Sequence, residues 1–330
     1  MTAALGFLVV VPVSSTAAST PSASQDACHV ADDHVFVRGV DKGAITQTVV
    51  AAGVPVSAAG TAGADVIVVT AAPPGATVAT VSVDAGAGDD VVCALTTPTL
   101  LLGGAGDDVL ATALGTSSMS GSLLDGGPGS DTVLGGPGPD VITGGTGDAD
   151  LLDGGGGEDL VTYDTSSEPI SARLPDAATS TPGSAVAIGD PPATADVLVG
   201  VEGVIGGQAN DVLVGSSGDD RLAGGPGDDL VLGLAGDDRL GGGAGRDRVR
   251  GGSGDDSVGG GSGRDVLRGG AGEDRLTGLE DSDRLFGGRG RDVLWGGSGR
   301  DRLDGGPQRD YCRGNRGSDT ARNCETRVQI

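Results

Sequence analysis

Large side chains are scarce in this 330-residue chain: three Phe, two Tyr and one Trp make up 2% of it. So little bulk cannot fill the thick interior of an ordinary globular domain, and any ordered fold must be thin. Histidine is nearly missing as well. His29 and His34 are the only two, so an imidazole-rich zinc centre has nothing to be built from elsewhere. Apolar runs fall short of the roughly 20 residues that span a bilayer, and no membrane span is expected. Positive charge is thin over most of the chain: residues 1–240 carry 31 acidic and 5 basic side chains, residues 241–330 carry 15 and 16, and the formal charge is −25. Such an acidic protein repels nucleic acid and anionic membranes and attracts cations.

Signatures of catalysis are missing too. There is no His-Glu-x-x-His, no Gly-x-Ser-x-Gly and no complete EF-hand loop; Asp148-Ala149-Asp150 and Asp281-Ser282-Asp283 begin like one and then fail. Residues 29–100 are the only stretch long enough to hide a catalytic domain, and they read as valine-rich, glycine-punctuated strands. The chain is not expected to be an enzyme.

Four cysteines allow three pairings. Cys28–Cys93 with Cys312–Cys324 is favoured, because each bridge closes one terminal region; four separate thiols are the alternative. Residues 3–13 (AALGFLVVVPV) form a short apolar run followed by small residues. That pattern reads as an export signal, although no Lys or Arg precedes it. An oxidising destination would preserve disulfides, and a secreted or cell-surface location is expected.

What the chain has in abundance is glycine, 65 residues of it, and it is periodic. From Gly206 the sequence runs in nines: GGQANDVLV, GSSGDDRLA, GGPGDDLVL, GLAGDDRLG, GGAGRDRVR, GGSGDDSVG, GGSGRDVLR, GGAGEDRLT, GLEDSDRLF, GGRGRDVLW, GGSGRDRLD, GGPQRDYCR, GNRGSDTAR. Thirteen repeats hold one register, with aspartate always sixth. A shorter array comprises GGAGDDVLA from Gly103 and, from Gly126, GGPGSDTVL, GGPGPDVIT, GGTGDADLLD (one residue longer) and GGGGEDLVT. Weaker copies begin at Gly60 and Ala85, so the repeat is expected to reach back towards the N-terminus.

Each position has a physical reading. Glycines at positions one, two and four are expected to supply positive φ for tight turns. Positions seven to nine form a short strand whose middle residue faces inward, because side chains alternate. In the longer array that inward series is Leu213, Leu222, Val231, Leu240, Val249, Val258, Leu267, Leu276, Leu285, Leu294, Leu303, Cys312 and Ala321. Two repeats make an 18-residue coil with a strand on each face, and coils stack at roughly 4.8 Å. One apolar side chain per nine ordered residues gives little hydrophobic stabilisation against the lost chain entropy. Rows of aspartate add repulsion, so a cation is required. Calcium suits carboxylates and backbone carbonyls in flexible geometry, whereas magnesium demands tighter geometry and keeps its water.

These nonapeptides resemble the haemolysin-type calcium-binding repeats of RTX (repeats-in-toxin) proteins. Gly224-Gly225-Pro226-Gly227-Asp228-Asp229-Leu230-Val231-Leu232 fits that motif at every defined position. The segment from Tyr163, ending DVLVGVEGVIGGQANDVLVG, is similar to the stretch that separates two such arrays. The resemblance covers about two thirds of the chain. It implies an all-β fold, a right-handed parallel β-roll in which several Ca2+ ions lie between one turn and the turn two repeats later. It also implies ligation by sixth-position carboxylates: Asp108, Asp131, Asp140 and Asp159 in the first array. In the second they are Asp211, Asp220, Asp229, Asp238, Asp247, Asp256, Asp265, Asp274, Asp283, Asp292, Asp301 and Asp310. Glycine-loop carbonyls would complete the sites, represented by Gly224, Gly227, Gly242, Gly245, Gly251 and Gly254. Asp319 would line the same edge as Asp301, in a last pair of repeats that serves partly as a cap.

The expected organisation is a leader (1–25), a divergent β-rich region (26–102), a first array (103–162), an inter-array segment (163–205), a second array (206–322) and a tail (323–330). Within the inter-array segment, Ile170, Ala172 and Leu174 alternate like a strand, and residues 179–195 read as a loop. Arginine replaces acidic residues at fifth positions 246, 264, 291, 300 and 309, where it should weaken calcium binding. The functional expectation is a secreted, monomeric calcium-binding structural module that folds on binding. A calcium-dependent adhesin or acidic-polysaccharide-binding protein is the runner-up, and a polysaccharide-active enzyme ranks last.

Overall fold

A computed structural model describes residues 28–328 apart from 32–33, 38–39, 52–55, 72–80, 96–98, 113–120, 147–148, 179 and 188–194. The expected leader lies outside the described residues. Every regular element described is a β-strand, and the chain forms two compact units, Met1–Asp159 and Leu160–Ile330.

The first unit is a parallel β-solenoid. Gln47–Ala51, Val66–Ala71, Val91–Ala94, Val109–Thr112, Thr132–Leu134 and Leu151–Asp153 stack as one sheet. Val56–Ala59, Val81–Asp84, Thr99–Leu102, Leu123–Pro128 and Val141–Thr146 stack as the other. The repeat therefore reaches back to Gln47, well before its glycines become regular. Coil length varies, since Val91 pairs with Val109 but Val109 pairs with Thr132. An antiparallel sheet of Cys28–Ala31, His34–Val37 and Val40–Ala44 adds to the unit. Its Cys28, Val35 and Val37 bury Val68, Val91, Cys93, Ala111 and Leu134. That cover explains why these coils carry apolar residues at positions that face outward. The Cys28–Cys93 disulfide, with Cα atoms 6.0 Å apart, fastens it.

The second unit keeps the 18-residue coil. Leu213, Val231, Val249, Leu267, Leu285 and Leu303 pair in succession on one sheet. Val204, Leu222, Leu240, Val258, Leu276, Leu294 and Cys312 do so on the other. All are buried as the alternation required. Strands run longer than the expected three residues: Arg221–Pro226 continues through the next two glycines and pairs Gly225 with Gly243. Phe286 and Trp295 lie on different sheets. The Cys312–Cys324 disulfide stands at the last coils, where Thr326–Val328 pairs with Tyr311–Gly317.

Ile170–Arg173 is a strand, with Ile170 and Ala172 buried. The expected loop at 179–195 needs correction. Gly183–Ala187 is a strand, antiparallel to both Ile170–Arg173 and Asp196–Val199. Its inward residues, Gly183 and Ala185, are too small to signal a buried face by hydrophobicity.

Candidate metal centres

The sixth-position aspartates form the most regular feature of the molecule. In the second unit they are buried despite their charge, each 7% exposed or less. From Asp229 onward each uses Oδ1 to accept the backbone N–H of the aspartate one coil upstream, whereas Asp211 Oδ1 accepts from Ile170 N–H at 2.7 Å and Asp220 Oδ1 from the Ser216 hydroxyl at 2.9 Å. Asp211 donates to Asp229 at 2.7 Å, and Asp229 to Asp247 and Asp247 to Asp265 at 2.9 Å. On the opposite edge Asp220 donates to Asp238 at 2.9 Å, and Asp238 to Asp256 and Asp256 to Asp274 at 3.0 Å. The ladders continue to Asp319 and Asp310. The first unit repeats the device through Asp65, Asp90, Asp108, Asp131 and Asp150. Its other edge runs through Ser122, Asp140 and Asp159.

The second carboxylate oxygen is different. Oδ2 of Asp90, Asp108 and Asp131, and of the eleven aspartates from Asp229 to Asp319, is buried and meets no hydrogen-bond donor. A buried oxygen in that state is costly. It leans over the first glycine of its own repeat: a Cβ on Gly224 would collide with Asp229 Oδ2 and lie 2.5 Å from the Gly242 carbonyl oxygen of the next coil. The same pair of oxygens meets over Gly242 (Asp247, Gly260) and over Gly233 (Asp238, Gly251). A carboxylate oxygen and a carbonyl oxygen from adjacent coils thus converge turn after turn.

Other turns are closed instead, among them that of Asp65, whose Oδ2 accepts the Thr61 N–H at 2.7 Å. Gly136 N–H donates to Asp140 Oδ2 at 2.7 Å, and Gly207 and Ser216 donate to Asp211 and Asp220 at 2.6 Å. There the second residue points its amide into the turn and satisfies the oxygen. In open turns that residue has positive φ, as at Gly225 (105°) and Gly243 (120°).

Within the described repeats positive φ is confined to positions two and four, which corrects the expectation for position one. Glycine is needed there because the aspartate and the next coil leave no room for a Cβ. Positions two and four turn tightly and abut the preceding coil: Cβ atoms on Gly243 and Gly245 would strike the carbonyls of Gly225 and Gly227. Leu234, Leu279 and Asn315, at second positions without glycine, hold positive φ all the same.

Burial sets the electrostatics. It pushes the carboxyls of Asp108, Asp229, Asp238, Asp274 and Asp283 up to about 7. Asp131, Asp247, Asp256 and Asp292 rise to about 6 for the same reason. The ladder amide opposes the rise and neighbouring aspartates reinforce it. Fifth-position side chains form an exposed outer ladder: Asp237 N–H donates to Asp219 Oδ1 and Asp255 N–H to Asp237 Oδ1, both at 2.7 Å. Arg246 and Arg291 sit in that ladder and pair with Asp228 at 2.9 Å and Glu273 at 2.7 Å.

Of the carbonyl candidates, Gly224, Gly242 and Gly251 stand beside carboxylates of the preceding coil, over Gly206, Gly224 and Gly233. Those of Gly227, Gly245 and Gly254 face the fourth-position glycines of the next coil. Asp65, Asp90 and Asp150 belong to the ladder although sequence reasoning left them out. Asp90 carried the signal, as the sixth residue of the weak copy at Ala85. Asp150 is the seventh residue of the overlong repeat, so a strict count missed it. Among the described residues no three His, Cys, Asp or Glu side chains converge. A cation here must take most of its ligands from the backbone. The donor set of carboxylate and carbonyl oxygens, with both cysteine pairs oxidised, fits calcium and not zinc.

Comparison with known proteins agrees. The profile of the family described as "RTX calcium-binding nonapeptide repeat (4 copies)" matches residues 100–118, 125–161, 205–240, 232–267, 259–294 and 287–321, about half of the chain. No curated protein matches it. Among the described residues no helix is long and apolar enough to cross a membrane.

Proposed function

The chain belongs to the RTX calcium-binding nonapeptide repeat family, and from that premise we propose that it is an exported structural module whose coils close when calcium enters the open turns. The column of buried Oδ2 atoms without donors carries this reading. Calcium held between two coils would supply the missing partner to Asp229, Asp238, Asp247 and their successors, together with carbonyls such as those of Gly242, Gly251 and Gly260. The closed turns at Asp65, Asp140, Asp211 and Asp220 need no ion and serve as starting coils. Repeats of this family are a structural calcium-binding module and not an enzyme family. Two disulfides suit an oxidising compartment, and dependence on calcium would keep the chain unfolded until it meets calcium outside the cell.

Far-UV circular dichroism during a calcium titration, with magnesium as control, tests this. The expected result is a cooperative gain of β structure specific to calcium. Full β structure persisting in chelator at neutral pH would sink the folding mechanism.

A further inference from the structure

The arginines of the second unit differ in their partners. In the edge ladder Arg246, Arg291 and Arg309 are paired with acids, whereas Arg264 and Arg300 form no ion pair among the described residues. Five on the outer face of one sheet are not paired with acids. Arg248 and Arg250 on Arg248–Ser253, Arg268 on Val266–Ala271, Arg284 on Arg284–Arg289 and Arg302 on Arg302–Asp304 are all exposed. Among the described residues none of these five forms an ion pair.

Their placement works against the fold. Arg250 is the direct neighbour of Arg268 across the sheet, and Arg284 of Arg302. Like charges directly opposite one another are destabilising, so packing gives no reason for the arrangement. The one acid on this stretch, Asp304, is already held by Arg322 at 2.6 Å and Asn323 at 2.7 Å. Phe286 interrupts the row, with the Arg268 guanidinium 5.2 Å from its ring centre. A shallow groove lined by Arg284, Phe286, Arg302, Thr320, Arg322 and the paired Asp304 lies on the same face.

We propose that this face binds a linear acidic polysaccharide; the proposal rests on the calcium reading above for assembly of the coils that carry it. Arg250–Arg268 and Arg284–Arg302 each follow the stacking direction, with partners roughly 4.8 Å apart, in two neighbouring columns of the sheet. A ligand that meets both pairs is a chain bearing closely spaced anionic groups, as a polyuronate bears one carboxylate per ring. Guanidinium groups bind carboxylates through two parallel hydrogen bonds, and Phe286 offers a flat apolar surface to a sugar ring. Single-stranded nucleic acid fits less well, because it stacks successive bases on several aromatics and this face has one. Calcium on the carboxylate edges would also weaken the negative field that otherwise repels a polyanion.

The test is calorimetric titration of the full chain in saturating calcium with an oligogalacturonate too short to gel. Neutral dextran oligomers and a thymidine oligonucleotide serve as controls. Two double variants are compared: Arg284→Gln with Arg302→Gln on the face, and Arg246→Gln with Arg291→Gln in the ladder. The face variant relieves a like-charge pair, so it should fold, and circular dichroism on the same samples checks that. Removing the face pair is expected to weaken oligogalacturonate binding on the order of tenfold or more, and removing the ladder pair by less than about twofold. Equal affinities for the two variants would overturn the proposal. So would no binding by a chain seen to be folded, or oligonucleotide binding with the same dependence on Arg284 and Arg302. If the chain proves folded in chelator, the titration is repeated there, and failure of the calcium reading leaves the arginine comparison intact. A chain unfolded in both conditions would remove the face and the proposal with it.

Discussion

Gly241 and Gly242 are adjacent in the chain, and neither adopts positive φ. A Cβ on Gly241 would meet nothing within 4 Å, whereas one on Gly242 would strike Asp247 Oδ2 and lie 2.7 Å from the Gly260 carbonyl oxygen. If glycine were present only for turn geometry, both positions would accept alanine. Crowding by the converging carboxylate and carbonyl oxygens makes the opposite forecast for one of them. Gly241→Ala should be neutral or stabilising by about 0.4–1 kcal/mol through lower entropy of the unfolded chain. Gly242→Ala should cost about 1–3 kcal/mol as overpacking and raise the calcium midpoint of folding. Matching midpoints for the two variants, measured by circular dichroism, would remove the steric role assigned to position one.

Along a single edge, residues that look interchangeable in the repeat become a column with its own charge. The edge carrying Asp220, Asp238, Asp256 and Asp274 has Asp219, Asp237, Asp255 and Glu273 at its fifth positions, and turns basic only at Arg291 and Arg309. The edge carrying Asp229, Asp247, Asp265 and Asp301 has Asp228, Arg246, Arg264 and Arg300. Calcium should fill the acidic edge first. Arg264→Ser with Arg300→Ser should tighten binding on the weaker edge about twofold per charge removed, read as a lower midpoint for the later phase of a calorimetric titration. A single-phase titration unchanged by the pair would show that the edges are equivalent. The coil itself was legible in the sequence, because aspartate at position six and an apolar residue at position eight keep one phase over thirteen repeats. What escaped depended on neighbours and not on phase. Whether a turn is open or closed follows from how the second residue turns its amide, so Asp211 and Asp229 read alike and differ in space. Asp150 was hidden by one inserted residue, and Gly183–Ala187 by side chains too small to announce a buried face. The arginines separate into paired and unpaired groups only once the register sets them side by side.

For the molecule as a whole, a formal charge of −25 couples folding to protons as well as to calcium. An unfolded aspartate titrates near about 3.9, while burial raises Asp229, Asp238, Asp274 and Asp283 to about 7 and Asp247, Asp256 and Asp292 to about 6. Between those values the metal-free folded chain binds more protons than the unfolded chain. Its stability is therefore fullest below about pH 4 and is lost as pH rises through 6 to 7. In chelator, β structure should appear on acidification from pH 7.5 to pH 4, with no metal added. Calcium and protons then compete for the same buried carboxylates. Calcium should bind more weakly at pH 5 than at pH 7.5 and release protons when it binds, measurable by calorimetry in buffers of different ionisation enthalpy. Asp229→Asn, Asp247→Asn and Asp265→Asn together imitate protonation along one edge. An asparagine oxygen can still accept the ladder amide, so this variant should hold more β structure in chelator at pH 7.5 and need more calcium to complete folding. A chelated chain that stays unfolded at pH 4, with an asparagine variant no better folded than the parent, would mean that charge on the buried aspartates is not what keeps the coils open.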